Sequence, residues 1–125
     1  MKMKKFSVLF YALVCITITS CRHNDGNINI SYNESGHYYT MKAHFSKNKT
    51  RNVEEYMDDR IGAGSNMSFV NTRIDGKIIL DDHTTFYIEK YAGLVEIKLD
   101  KDENSPEAYH RIKSMCEGIK EVVIK

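Results

Sequence analysis

Residues 84–100 read TTFYIEKYAGLVEIKLD, and the rhythm of this stretch decides the architecture. Phe86 and Ile88 fall on one side of a period of two, with Tyr87, Glu89 and Tyr91 on the other. Ala92-Gly93 interrupts the pattern, and Val95, Ile97 and Leu99 resume it around Glu96 and Lys98. Apolar side chains at every second residue mark a strand with one buried face. A short glycine-containing break joins two such strands into an antiparallel hairpin.

The same rhythm extends upstream. Ile74, Ile78 and Leu80 share a face over 72–81, and Asp81-Asp82-His83 turns the chain, which predicts a three-stranded antiparallel meander. Nearer the start, Ile28, Ile30 and Tyr32 alternate with Asn29 and Ser31, and NESG at 33–36 supplies turn chemistry. Tyr39, Met41, Ala43 and Phe45 then alternate with Tyr38, Thr40, Lys42 and His44, completing a hairpin with one apolar face. Between hairpin and meander the period changes. Val53, Tyr56, Met57 and Ile61 form one helical stripe, with Ser46 or Asn48 placed to cap its start and Gly62 to end it. GAGSNMS at 62–68 reads as a loop.

The final segment is a second helix. Ser105 is a good N-cap, Pro106 fits the first helical position, and Glu107 faces the positive end of the helix. Tyr109, Ile112, Met115, Cys116, Ile119 and Val122 or Val123 form its apolar stripe. The element order is ββαβββα. Each sheet segment has one apolar face and each helix one apolar stripe, so the expected fold is an α+β two-layer sandwich: a five-stranded antiparallel sheet with two helices on one face.

The N-terminus has a separate logic. Lys2, Lys4 and Lys5 precede an uncharged run from Phe6 to Ile18, shorter than the ~20 residues a bilayer-spanning helix needs and about the length of a signal-peptide core. Ile18, Thr19, Ser20 and Cys21 follow as aliphatic, small, small, cysteine, which is the lipobox pattern. A thiol at that position takes a diacylglyceryl group, cleavage occurs before it, and the new amine is acylated. Two or three acyl chains, at ~0.8 kcal/mol per buried CH2, anchor a protein stably. The expected organisation is a signal peptide at 1–20, a tether at 21–27 beginning with lipidated Cys21, and a single domain at 28–125.

Removing 1–20 leaves 15 basic against 17 acidic residues, so the mature chain sits near −2. That balance lacks the basic surplus that neutralises phosphates along a nucleic acid. Cys15 leaves with the signal and Cys21 carries lipid, so Cys116 is the only remaining thiol and no intramolecular disulfide is available.

The candidate chemistry is sparse. Asp100, Asp102 and Asn104 match the first ligands of a calcium loop, but Ser105 stands where its turn glycine belongs and Arg111 where its bidentate glutamate belongs. Glu54 over Asp58 and Glu55 over Asp59 stack carboxylates at i, i+4 on a helix and read as a solvated face. GAGS lacks the following Lys-Ser or Lys-Thr of a phosphate loop. His23, His37, His44, His83 and His110 show no ligand spacing and read as surface residues, with His37 and His44 pointing to opposite faces of one strand. Cys116 lies in an apolar stripe, where a cysteine is inert. These patterns predict no enzyme activity, cofactor or metal. The remaining feature is the sheet face turned from the helices, carrying Tyr38, Thr40, Lys42, Tyr87, Glu89 and Tyr91 among Lys77, Glu96 and Lys98. Tyrosine is a residue type that anchors interfaces.

ILDDHTTFYI at 79–88, IKLDKDENS at 97–105 and RIKSMCEGIKEV at 111–122 together resemble a group of short lipobox-containing lipoproteins of Bacteroidota. The resemblance covers roughly residues 39–122. It implies a location and no activity: a lipid-anchored protein of the bacterial envelope. The expected placement within the envelope is the outer membrane, facing the periplasm. The expected role is a non-catalytic interaction module or accessory subunit with an envelope protein as partner. The alternative is a binder of a small ligand or peptide across the open sheet face.

Overall fold

The computed structural model describes residues 28–61 and 67–125. The expected signal peptide, the tether with Cys21, and Gly62 with the rest of GAGS lie outside the described residues. Five strands form: β1 (Asn29–Glu34), β2 (Tyr38–His44), β3 (Ile74–Ile79), β4 (Thr85–Tyr91) and β5 (Leu94–Asp100). Two helices accompany them, α1 (Thr50–Ile61) and α2 (Pro106–Val123). Short 3-10 turns at Lys47–Lys49 and Lys101–Glu103 lead into each helix.

The strands make one antiparallel sheet in the order β1-β2-β5-β4-β3, the expected α+β architecture. The N-terminal hairpin joins the meander through β2 and β5, with Met41 opposite Ile97 and Ala43 opposite Val95. Register keeps the apolar parity continuous: Ile30, Ala43 and Val95 line up across three strands, and Ile88 meets Ile97 on the next. Tyr39, Met41, Phe86, Ile88, Ile97 and Leu99 are all buried on this face.

Both helices cover that face. Val53, Met57 and Ile61 of α1 and Ile112, Met115, Cys116, Ile119 and Val123 of α2 join the strand residues in one core. The helices run antiparallel, with Lys49 reaching the Lys125 carbonyl, Tyr56 against Gly118, and Arg60 donating to Ser114 Oγ at 2.8 Å. Gly118 lets Tyr56 lie against α2, because a Cβ would be 1.8 Å from the Tyr56 hydroxyl oxygen and would displace that side chain.

The cap of α2 follows the sequence: Ser105 Oγ accepts from the Ala108 N–H at 3.1 Å, and Pro106 sits in the first turn. The start of α1 differs from expectation. Ser46 Oγ donates to Asn48 Oδ1 at 2.9 Å and makes no cap bond; a 3-10 turn at Lys47–Lys49 precedes α1, which begins at Thr50. Thr50 Oγ1 accepts instead from the N–H of Gly93, tying α1 to the β4–β5 turn. Gly93 adopts φ +83 in that turn, and a Cβ there would lie 3.0 Å from the Phe45 carbonyl oxygen. Phe69, in the irregular segment before β3, is fully buried. It contributes roughly 1.5–3 kcal/mol of hydrophobic stabilisation from a stretch whose periodicity gives no warning.

Candidate functional site

Strand parity alone assigns the second face of the sheet. Since Tyr39, Met41, Phe86 and Ile88 point to the helices, Tyr38, Thr40, Lys42, Tyr87, Glu89 and Tyr91 point away from them. Register assembles these residues into transverse rows. Lys42, Glu96, Glu89 and Asp75 face one another in sequence across β2, β5, β4 and β3. The next row is Thr40, Lys98, Tyr87 and Lys77. An acidic row therefore lies beside a basic one, and their charges complement each other diagonally.

The aromatic side chains are embedded in these charges. Lys98 Nζ sits 4.6 Å from the centre of the Tyr38 ring, and the Arg73 guanidinium 5.0 Å from that of Tyr91. The Tyr87 hydroxyl donates to Asp75 Oδ1. That carboxylate acceptor pushes the Tyr87 hydroxyl up to about 12, so it remains a hydrogen-bond donor at physiological pH. Tyr38, Tyr87 and Tyr91 keep 37–42% of their surface exposed. Ile79, at 67% exposure, shares the face and is its most exposed large apolar side chain. Its signal in the sequence is the doublet Ile78-Ile79, since one of two adjacent apolar residues in a strand must face outward. Tyr38, Lys77, Thr85, Tyr87, Lys98 and Glu103 border a shallow hollow of about 230 Å3.

The stacked carboxylates of α1 are not the solvated face expected of them. Glu54 is buried, and its Oε2 accepts from the equally buried Lys90 Nζ at 2.6 Å. Lys90 also donates to the Thr72 carbonyl, and Glu54 Oε1 accepts from the Asn71 N–H at 3.1 Å. Asp58 takes the Phe69 N–H at 2.7 Å and the Ser68 hydroxyl at 2.6 Å. Both carboxylates fasten the segment before β3 to α1. Glu55 keeps a solvated role, paired with Arg51 at 3.0 Å. Burial of a charge demands a partner and bonds for its remaining lone pairs, and both are met here.

The residues of the calcium-like loop are engaged in local structure. Asp100 Oδ1 accepts from the Asp102 N–H at 2.9 Å, capping the 3-10 turn. The Asn104 side chain accepts from the Thr85 N–H and donates to the Thr85 and Asp100 carbonyls, each at 2.9 Å. His37 falls in the β1–β2 turn, just outside the strand, and not on a face opposite His44; its Nδ1 lies 2.9 Å from Asp102 Oδ2. His44, His83 and His110 are exposed. Burial pushes the Cys116 thiol well above its usual range and keeps it neutral, as it does the hydroxyl of neighbouring Tyr39. Among the described residues no group of three or more His, Cys, Asp or Glu side chains is placed to hold a metal ion, and no helix is long and apolar enough to cross a membrane.

Compared with protein-family models, with curated proteins and with solved structures, the chain matches none.

Proposed function

We propose that this chain is a bacterial envelope lipoprotein, anchored through acyl chains on Cys21, whose 28–125 domain is a non-catalytic interaction module or accessory subunit. It binds a membrane-proximal protein partner through Tyr38, Thr40, Lys42, Tyr87, Glu89 and Tyr91. The observation that carries this reading is the uncovered sheet face, where three half-exposed tyrosines and Ile79 are interleaved with rows of opposite charge. Interfaces of this kind use large amphipathic side chains as anchors and charge pattern for register. The hollow on this face, about 230 Å3, falls below the ~300–1,000 Å3 usual for enclosed small-molecule sites. That favours a protein partner over a small ligand. The tether of 21–27 spans at most roughly 25 Å when extended, which holds the domain close to the bilayer.

The test is site-specific photo-crosslinking of the tagged full-length chain in native envelopes, with the crosslinker at Tyr87 or, as a control, at Glu117 on the exposed side of α2. One reproducible partner captured from Tyr87, absent from Glu117 and lost in Cys21→Ser, is the expected result. Equal capture from both positions, or none from a lipidated and folded protein, overturns the reading. An intact mass of Cys21 onward without lipid overturns the anchor.

A further inference from the structure

The two ends of the sheet differ in charge, although Lys77, Lys101 and Arg111 are paired at the acidic end and Glu54 and Glu55 at the basic one. At one end of the sheet, where β1 begins opposite His44, lie Lys47, Lys49, Arg51 and Arg73. At the other end, around the β3–β4 turn and the start of α2, lie Asp81, Asp82, Asp100, Asp102, Glu103 and Glu107. The basic end contains an open groove of about 650 Å3 between the start of α1, the segment 71–73 and the β4–β5 turn. Its floor is the Lys90–Glu54 pair, whose charges cancel. Its walls carry Lys47, Arg51 and Arg73. Arg51 shares Glu55, and among the described residues Lys47 and Arg73 make no ion pair. In a chain that is acidic overall after residue 20, three basic side chains therefore border one recess.

We infer that this groove binds a phosphate-bearing anion: a phosphomonoester or phosphodiester with a small polar body. Guanidinium groups match phosphate oxygens in pairs, and a lysine adds a mobile point charge. The recess exceeds a bare phosphate, and the Asn48, Thr50 and Asn71 side chains on its rim offer hydrogen bonds to an attached glycerol- or sugar-like group. The geometry also orients the groove. The chain enters β1 at the same end of the sheet as the groove. If Cys21 carries lipid, as proposed above, a headgroup phosphate is one source of the ligand; a soluble phosphoester is the other. The site stands on the groove and its charges, and holds whether or not the open sheet face binds a protein.

The test uses the full-length chain in maltoside micelles, which contain no phosphate, followed by amide NMR at constant ionic strength. One arm titrates inorganic phosphate and sn-glycerol 3-phosphate; the other adds phosphatidylglycerol to the micelles. Saturable shifts confined to 47–51, 71–73 and 90–92 are expected. Saturation in the first arm alone identifies a soluble ligand, and saturation in the second alone identifies the headgroup. Arg73→Ala with Lys47→Ala, both exposed and outside the core, is expected to weaken binding about tenfold or more while leaving the remaining spectrum unchanged. Added sodium chloride should weaken it further. Absence of saturable shifts in both arms overturns the inference, as do shifts that persist undiminished in the double variant.

Discussion

Two ionic contacts fasten helices to the sheet, and water reaches them very differently. Lys90 on β4 meets Glu54 on α1 with side chains 1% and 6% exposed. Glu34, at the end of β1, accepts from Lys101 at 2.7 Å, from Lys113 of α2 at 3.1 Å and from the Tyr109 hydroxyl, with Glu34 and both lysines 23–33% exposed. The first has fewer charges in a dry setting; the second has more charges in a wet one. Coulomb attraction is strong where water is absent, but so is the cost of removing one partner alone. The buried pair therefore governs whether the fold survives, and the exposed cluster adjusts how firmly the first hairpin sits on α2.

The largest expected effect tests the buried side. Lys90→Ala leaves Glu54 charged within the packed layer and should cost about 3–5 kcal/mol in urea unfolding, a large share of the stability of a small domain. Replacing both partners with apolar residues, Lys90→Met with Glu54→Leu, should recover most of that loss. The bonds to Asn71 and Thr72 would then be lost, but both residues are exposed and water can replace them. A loss below about 1 kcal/mol for Lys90→Ala would place this pair among ordinary surface bridges and erase the contrast.

A middle case has no charge. Gly118→Ala gains about 1 kcal/mol of helix propensity but drives a methyl into the Tyr56 hydroxyl. Forced overpacking costs roughly 1–3 kcal/mol, so the net effect should be a destabilisation of about 1 kcal/mol, measured by the same unfolding curves. Adding Tyr56→Phe removes the clashing oxygen and should return part of it. Stabilisation by Gly118→Ala alone would show that α1 and α2 slide apart freely, and would weaken the view that the buried pair fixes α1.

The contrast between the two contacts also marks what the sequence makes legible. Strand and helix positions, the α2 cap and the tyrosine face are local periodicities, each readable within ten or so residues. Pairing of β2 with β5 is not, because nothing local states which edge of the meander receives the hairpin. The buried pair had readable halves: Lys90 continues the inward parity of Phe86 and Ile88, and Glu54 falls at i, i+3, i+7 with Met57 and Ile61. Charged residues at such positions ordinarily read as solvated, and the partner that changes the reading lies 36 residues away. The basic groove is more hidden still. Lys47, Arg51 and Arg73 come from a 3-10 turn, a helix and a loop, and only the folded sheet gathers them.

The smallest effect tests the exposed side, and its pH dependence identifies it. The hydrogen bonds from Lys101, Tyr109 and Lys113 hold the Glu34 carboxyl at about 2, against an ordinary value of 4.5. A carboxyl lowered on folding contributes stability that is present above its unfolded value and is lost as pH falls toward its folded one. The stability difference between wild type and Glu34→Gln should therefore hold steady from neutral pH down to about 5 and shrink between 4.5 and 2. The same contact raises Lys113 above 10.5, so its share is present below that value and fades as pH climbs beyond it. Thermal melts of both proteins across this range should give a plateau that falls at both ends. Asp82, lowered by Thr84 and Arg111, titrates alike in the two proteins and cancels in the difference. A difference that stays flat from pH 7 to pH 2, within the scatter of replicate melts, would mean that the bonds to Glu34 add nothing to the stability the strands already supply.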